Sequence, residues 1–315
     1  MSGERVLVSC PQLTRDLDVF RDRFESRGIT LLAPAVVQQL REPELLGLVD
    51  DIDGMIAGDD ELTRAVLERA PRLRVISKWG IGTDSIDLAA AAELGIRVTN
   101  TPGMFGDEVA DVVIGYLVLL ARRLHEADRE VRAGRWTKPE GVSLRGRTIG
   151  VVGLGDIGSA VSRRAVAMGM RVLGTDVSEE AASRASAFGV EVTHLDSLIA
   201  DADVLSLNCP LTDQNRHMLD DARLDAMKPG AWIINTARGG LIDERALASR
   251  LESGRIGAAA MDVFEVEPLP ADSPLRQLPN VILGSHNSSN TAEASRRTSH
   301  RAIDNLLAGL DEVRR

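Results

Sequence analysis

The chain is 315 residues long, 44% hydrophobic and 27% charged, the profile of a globular protein with room for two cores. Its net charge of −10 repels nucleic acid phosphates and anionic lipid, so any anionic ligand must be held by local groups rather than by the overall field. The two cysteines, Cys10 and Cys209, are too few and too far apart for a disulfide framework or a zinc site. The longest apolar segment, residues 112–121, is too short to span a bilayer. The opening MSGERVLVSC does not resemble a signal peptide, and reduced thiols in a cytoplasmic protein are expected.

Short apolar runs alternate with amphipathic ones along the whole chain. Residues 5–10, 28–33, 54–58, 74–77 and 96–100 read as strands, with helical patterns at 14–28 and 60–70. Apolar runs without period-two alternation, spaced by helices, predict parallel strands covered on both faces. One long helix is predicted over 107–133, stopped by Gly134. Strands resume at 148–152, 170–175, 203–208, 231–237, 257–263 and 281–284. A last helix is predicted over 291–310, with Asn290 and Glu293 in the spacing of a capping box. Two α/β units joined by a long helix follow from this order.

The run TIGVVGLGDIG places Gly153, Gly155 and Gly158 in G-x-G-x-x-G spacing between a strand and a helix. The first glycine permits a tight turn, the second lets the backbone approach a pyrophosphate, and the third lets helix and strand pack closely. The pyrophosphate would lie at the helix N-terminus, where free N–H groups and the helix dipole favour an anion. Asp176 ends the next strand, close to the spacing expected of the carboxylate that binds both ribose hydroxyls. It would repel a 2′-phosphate, which favours NAD over NADP.

Three ionisable residues follow successive apolar strands in the second half. Arg238 comes after AWIINTA, Glu267 closes MDVFEVE, and His286 follows NVILGS. In an open parallel sheet, ligands gather beyond the carboxyl ends of the strands. Complementary chemistry at three such ends, beside a nucleotide motif, predicts an active site.

These segments, with GIGTDSIDLAAAAELGIRVTNTPG and NTARGGLIDERALASRLESGRIGAAAMDVFEVEPLP, make the chain resemble the D-isomer-specific 2-hydroxyacid dehydrogenases, which include D-3-phosphoglycerate dehydrogenase. The resemblance covers nearly the whole chain. It implies an α/β fold in which a Rossmann-type NAD-binding domain, 101–287, is inserted into a flavodoxin-like substrate domain, 1–100 with 288–315, both with parallel sheets. It implies a homodimer through the helix at 107–133. It makes Arg238, Glu267 and His286 catalytic: His286 as acid–base group, Glu267 holding its ring, Arg238 binding the substrate carboxylate as a planar fork. Cofactor contacts are expected from Gly153, Gly155, Asp156, Ile157, Gly158, Asp176, Asn208, Pro210, Thr236 and Ala237, and from Asp262 toward the nicotinamide carboxamide. The substrate carboxylate is expected at Gly80, Ile81 and Gly82, and Lys78 is a candidate receptor for a phosphate or second carboxylate.

The chain departs from the family's pattern around the histidine. Many members have Pro before it and apolar residues after it, whereas Ser285 precedes and Asn287, Ser288, Ser289 and Asn290 follow here. A more polar wall near the substrate is expected. The expected partner is a small 2-hydroxy or 2-oxo acid, ranked phosphoglycerate first, then glyoxylate or hydroxypyruvate, then lactate-like acids. Neither nucleic acid nor membrane is expected. The C-terminal regulatory domain of some phosphoglycerate dehydrogenases is not expected in a chain ending at Arg315. The same fold also serves as a non-enzymatic NAD(H) sensor, and a related enzyme could oxidise formate or phosphite; turnover assays separate these.

Overall fold

The computed structural model describes residues 3–312. They form two compact units: one runs from the N-terminus to Met104 and resumes at Asn290, and the other is Phe105–Ser289.

The first unit is built on β1 (Arg5–Val8), β2 (Thr30–Leu32), β3 (Gly54–Ala57), β4 (Val75–Lys78) and β5 (Arg97–Thr99), all parallel in the order β2-β1-β3-β4-β5. This is the flavodoxin-like order. Val6, Leu7, Val8, Met55, Ile56, Val75 and Ile76 are fully buried, as central parallel strands covered on both faces require. The helix expected over 14–28 is two, α1 (Pro11–Arg15) and α2 (Leu17–Glu25), parted at Asp16. Two more, α3 (Glu42–Leu46) and α4 (Arg64–Glu68), follow. Asp60, expected to open the helical stretch at 60–70, is buried instead and accepts from the Ser9 hydroxyl and the N–H groups of Leu40 and Gly58. Thr63 caps α4 in its place. A fifth helix, α5 (Leu88–Glu93), is capped by Asp87. The C-terminal helix, Ala292–Glu312, closes one face of this sheet: Ser77 Oγ donates to the Ala302 carbonyl at 2.8 Å and Trp79 Nε1 to Ser299 Oγ at 3.1 Å. Its cap is Thr291, which accepts from Ala294 N, one residue later than the expected Asn290–Glu293 box.

The second unit carries β6 (Thr148–Val152), β7 (Arg171–Thr175), β8 (Val190–Val192), β9 (Val204–Leu207), β10 (Ala231–Asn235), β11 (Ile256–Met261) and β12 (Val281–Leu283). They form one parallel sheet in the order β12-β11-β10-β9-β6-β7-β8. This is the doubly wound Rossmann order, with its switch point between β6 and β9. The strand β8 has no counterpart in the sequence reading because it is three residues at the sheet edge with two of them exposed. The long helix expected over 107–133 is two helices. The first, α6 (Gly106–Arg122), buries Val109, Val113, Leu117 and Leu120; the second, α7 (Leu124–Arg132), buries nothing. Between them Arg123 takes φ 51, the left-handed region. Charged α7 has no core to follow, so the chain turns where the apolar face ends. No described helix is long and apolar enough to cross a membrane.

Candidate active site

The C-terminal ends of the second unit's strands carry the site. β6 runs through a glycine turn into α8 (Asp156–Ala167). Gly153 has φ 89, and a Cβ on it would lie 2.8 Å from the Asn208 carbonyl at the end of β9. A Cβ on Gly158 would lie 1.8 Å from the Gly153 oxygen. At Gly155 a Cβ meets nothing within 4 Å. The outer glycines are thus fixed by the chain's own packing, while the middle one faces open space that a ligand can approach. Asp156 and Ile157 form the first turn of α8 behind it. Asp176, after β7, is tied to this turn: its carboxylate accepts from Leu154 N at 2.6 Å and Ser178 N at 2.7 Å.

The next strand ends fit the same ligand. Among the described residues, Asn208 Oδ1 after β9 and Thr236 Oγ1 after β10 are buried without a hydrogen-bond partner. Orphaned polar atoms of this kind mark a place for a ligand or ordered water. Pro210 and Ala237 share those ends, and Ala237 N donates to Asn235 Oδ1 at 3.0 Å. Cys209 lies half-buried between Asn208 and Pro210, and burial pushes its thiol up to about 11.

Arg238, Glu267 and His286 follow β10, β11 and β12, which are neighbours in the sheet. Arg238 precedes a short 3-10 turn, Gly239–Leu241; its carbonyl accepts from Asn235 Nδ2 at 2.9 Å and its Nη1 donates to the Ala237 carbonyl at 2.7 Å. A Cβ on Gly239 would lie 1.9 Å from the Phe264 carbonyl carbon, so the arginine's turn packs directly on the loop that carries Glu267. Glu267 Oε1 accepts from Phe264 N at 2.9 Å, and Oε2 meets His286 Nδ1 at 2.7 Å. The two side chains are 14% and 23% exposed, so the pair is shielded yet open on one side. A carboxylate on Nδ1 fixes the ring and its tautomer. Glu244 lies beyond this pair: burial, then the charges of Glu265 and Glu267, raise its carboxyl.

Asp262 follows β11 and is 2% exposed. Its carboxylate accepts from Asn287 N at 3.2 Å, from Ser288 N at 2.8 Å and from the Ser288 hydroxyl, and the Tyr116 hydroxyl lies beside it near Gly284. A carboxylate offers about four acceptor sites, so the contact expected with a nicotinamide carboxamide meets a group already engaged by the chain. Tyr116 and Ser288 escape a sequence reading. Tyr116 looks like one more core residue in the apolar run 112–121, and Ser288 like one more polar turn residue.

The first unit, by itself, holds residues 80–82 at the end of β4. Gly80 has φ 129. Its N–H donates to Thr101 Oγ1 at 2.9 Å, its carbonyl accepts from Thr101 N at 2.9 Å, and the Ile81 carbonyl accepts from Asn100 Nδ2 at 2.8 Å. Gly82 completes the loop, half-buried. Lys78 is the candidate receptor for a phosphate or second carboxylate. It is 3% exposed, and Nζ donates to Asp59 Oδ1 at 3.0 Å and to the Trp79 carbonyl at 3.2 Å. Burial of a lone ammonium is costly, so the chain supplies its counter-ion and an acceptor. The lysine props the loop from beneath. No group of His, Cys, Asp and Glu that could hold a metal ion occurs among the described residues.

A glycine turn at the switch point of a Rossmann sheet, with a His–Glu pair and an arginine on neighbouring strand ends, is the arrangement of a nicotinamide-dependent dehydrogenase. Residues 114–288 match the family described as D-isomer specific 2-hydroxyacid dehydrogenase, NAD binding domain. The glyoxylate reductase of Thermofilum pendens is 40% identical over 274 residues, 85% of this chain and 81% of that protein. The D-3-phosphoglycerate dehydrogenase of Methanocaldococcus jannaschii is 41% identical over 267 residues, 83% of this chain but 50% of that protein. The crystal structure of D-lactate dehydrogenase from Aquifex aeolicus, complexed with NAD and lactic acid, superposes with a TM-score of 0.88 at 26% identity, covering 98% of this chain and 96% of that one. The chain belongs to the D-isomer specific 2-hydroxyacid dehydrogenase family. It is an NAD-dependent oxidoreductase acting on a CH–OH group.

Proposed function

We propose that the protein reduces a small unphosphorylated 2-oxo acid of the glyoxylate or hydroxypyruvate class to its D-2-hydroxy acid, reversibly. The Phe105–Ser289 unit serves as the NAD domain and the other as the substrate domain. The observation that carries the reading is the His286 Nδ1–Glu267 Oε2 contact of 2.7 Å on the strand ends beside Arg238. Phosphoglycerate, ranked first on the sequence, gives way for two reasons. Lys78, the candidate phosphate receptor, is buried against Asp59, and relatives of similar length are named glyoxylate and hydroxypyruvate reductases.

NAD, when bound, supplies the hydride acceptor, and its reduced form the donor. Asp176, at the rim of the glycine turn, favours it over NADP. Arg238 takes the acid's carboxylate in a planar fork and polarises the C2 oxygen. His286 gives the proton from Nε2 to the C2 oxygen during reduction and takes it back during oxidation. Glu267 keeps that proton available by stabilising the imidazolium through Nδ1.

Two further points belong to this reading. The free thiols, one buried and one half-buried, suit a reducing cytoplasmic compartment. A second copy of the chain covers the apolar groove that Ile114, Val118, Leu119, Leu124 and Met168 line on α6, α7 and α8, making a homodimer.

The test is NADH oxidation with glyoxylate, hydroxypyruvate, 3-phosphohydroxypyruvate, pyruvate and 2-oxoglutarate, with NADPH as the cofactor control. Fast turnover of one of the first two, weak with NADPH, supports the reading. Preference for the phosphorylated acid would restore the phosphoglycerate assignment. NADH binding without turnover of any acid, and without oxidation of formate or phosphite, would favour a nucleotide sensor.

A further inference from the structure

His286 stands in the left-handed region, with φ 54. A residue with a side chain keeps that backbone only where surrounding contacts over-determine it. Those contacts come from Asp262. Its carbonyl accepts from His286 N at 2.7 Å, and its carboxylate takes the N–H groups of Asn287 and Ser288 and the Ser288 hydroxyl, all in the turn that carries the histidine. The hydroxyl of Tyr116, the chain's single tyrosine, arrives beside the same carboxylate from far upstream in the chain, on α6. Gly284 leaves the room for this meeting, since a Cβ there would lie 2.1 Å from Asp262 Oδ1 and 2.6 Å from the Tyr116 oxygen. Burial, and then the Asp262 charge, push the Tyr116 phenol far above its ordinary range, so it stays a donor throughout the working pH range.

We propose that Tyr116 is a positioning residue for the dehydrogenase reaction: by holding the Asp262 carboxylate it ties the His286 turn to α6. The phenol touches neither His286 nor Glu267 in any contact described above. It acts through Asp262, which it stops from swinging out of the plane of the Asn287 and Ser288 N–H groups. Without it the turn relaxes, the ring of His286 shifts against Glu267, and proton delivery loses its aim. Misplacement by about 1 Å is enough to cost up to about a hundredfold in rate. The inference rests on His286 being the acid–base group.

Tyr116→Phe removes the hydroxyl and keeps the ring. Expected is a fall in kcat of about tenfold for the preferred acid, with KM for NADH and the thermal midpoint close to those of the wild type. Ser288→Ala should act in the same direction, and the double variant should lose less than the product of the two, because both act through one carboxylate. An NMR arm needs no turnover: of the imidazole signals of the five histidines, the one missing in His286→Ala should shift or broaden in Tyr116→Phe while the others stay in place. A Tyr116→Phe protein with wild-type kcat and an unmoved His286 signal would overturn the proposal. So would a variant that loses stability and every kinetic constant together while that signal stays put. If the wild type turns over no acid, the proposed function fails, and the NMR arm still decides whether Tyr116 positions the histidine.

Discussion

In the proposed mechanism His286 and Glu267 do different parts of one task, and their variants should separate them. His286→Ala removes the proposed proton donor and should lower kcat by about a hundredfold or more, with NADH binding retained. Glu267→Gln keeps a hydrogen-bonding oxygen near Nδ1 but drops the charge that favours the imidazolium. Its oxo-acid reduction should fade at a lower pH than the wild type's, a shift read from kcat/KM against pH. An unmoved alkaline limb would mean that Glu267 orients the ring without tuning it. Cys209 permits a second prediction. Its thiol is pushed up to about 11 by burial first, with Asp176 adding to it. The folded protein should therefore alkylate slowly at neutral pH and speed up only as pH climbs toward that value, while denatured protein reacts readily. Fast alkylation of folded protein at neutral pH would contradict the buried placement. At this scale Arg238, Glu267 and His286 are legible as candidates because each interrupts an apolar strand pattern with a charged or titratable group. Lys78 is not legible: a lysine at a strand end looks exposed until the strands beside it and its Asp59 partner are in place.

At the scale of elements, the glycine turn is the most local feature of the site and the most predictable. A Cβ at 158 would overlap the Gly153 oxygen at 1.8 Å. Gly158→Ala should therefore push α8 away from β6, weaken NADH binding at least tenfold, and lower the melting temperature. NADH titration by fluorescence and a thermal melt measure both, and an unchanged dissociation constant would show that the turn can yield. Strand positions are likewise readable, because fully buried parallel strands are continuous apolar runs. Helix ends are less so. The pattern over 107–133 has helical character throughout, yet the chain breaks at Arg123 because only its first half has a core to pack against. The cap of the C-terminal helix moves from Asn290 to Thr291 for a comparable reason, since Asn290 Oδ1 accepts from the Ser295 hydroxyl.

At the scale of the whole molecule, the groove along α6 and α8 predicts assembly. Leu119→Glu places a charge among Ile114, Val118 and Met168. It should shift a dimer to monomer in sedimentation or light scattering while leaving far-UV circular dichroism intact. A wild type already monomeric at micromolar concentration would remove the homodimer from the proposed function. Because Tyr116 sits on the same helix, a dissociated variant that also loses kcat would be consistent with the anchor between α6 and the His286 turn.

What the sequence by itself determined is everything carried by short-range pattern: two parallel α/β units, the dinucleotide turn, the acidic residue after the next strand, and three reactive groups at strand ends. Each depends on residues adjacent in the chain or on one period of hydrophobicity, so no distant partner is needed to read it. Only the tertiary structure decided which of those groups meet and which are already occupied. It joined His286 to Glu267, closed Lys78 onto Asp59, turned the Asp262 carboxylate onto Asn287 and Ser288, and brought the Tyr116 hydroxyl beside it. The reason is that hydrogen bonding and burial saturate polar groups according to their neighbours in space, and a β-sheet whose strand order departs from chain order makes neighbours of residues that are remote in sequence.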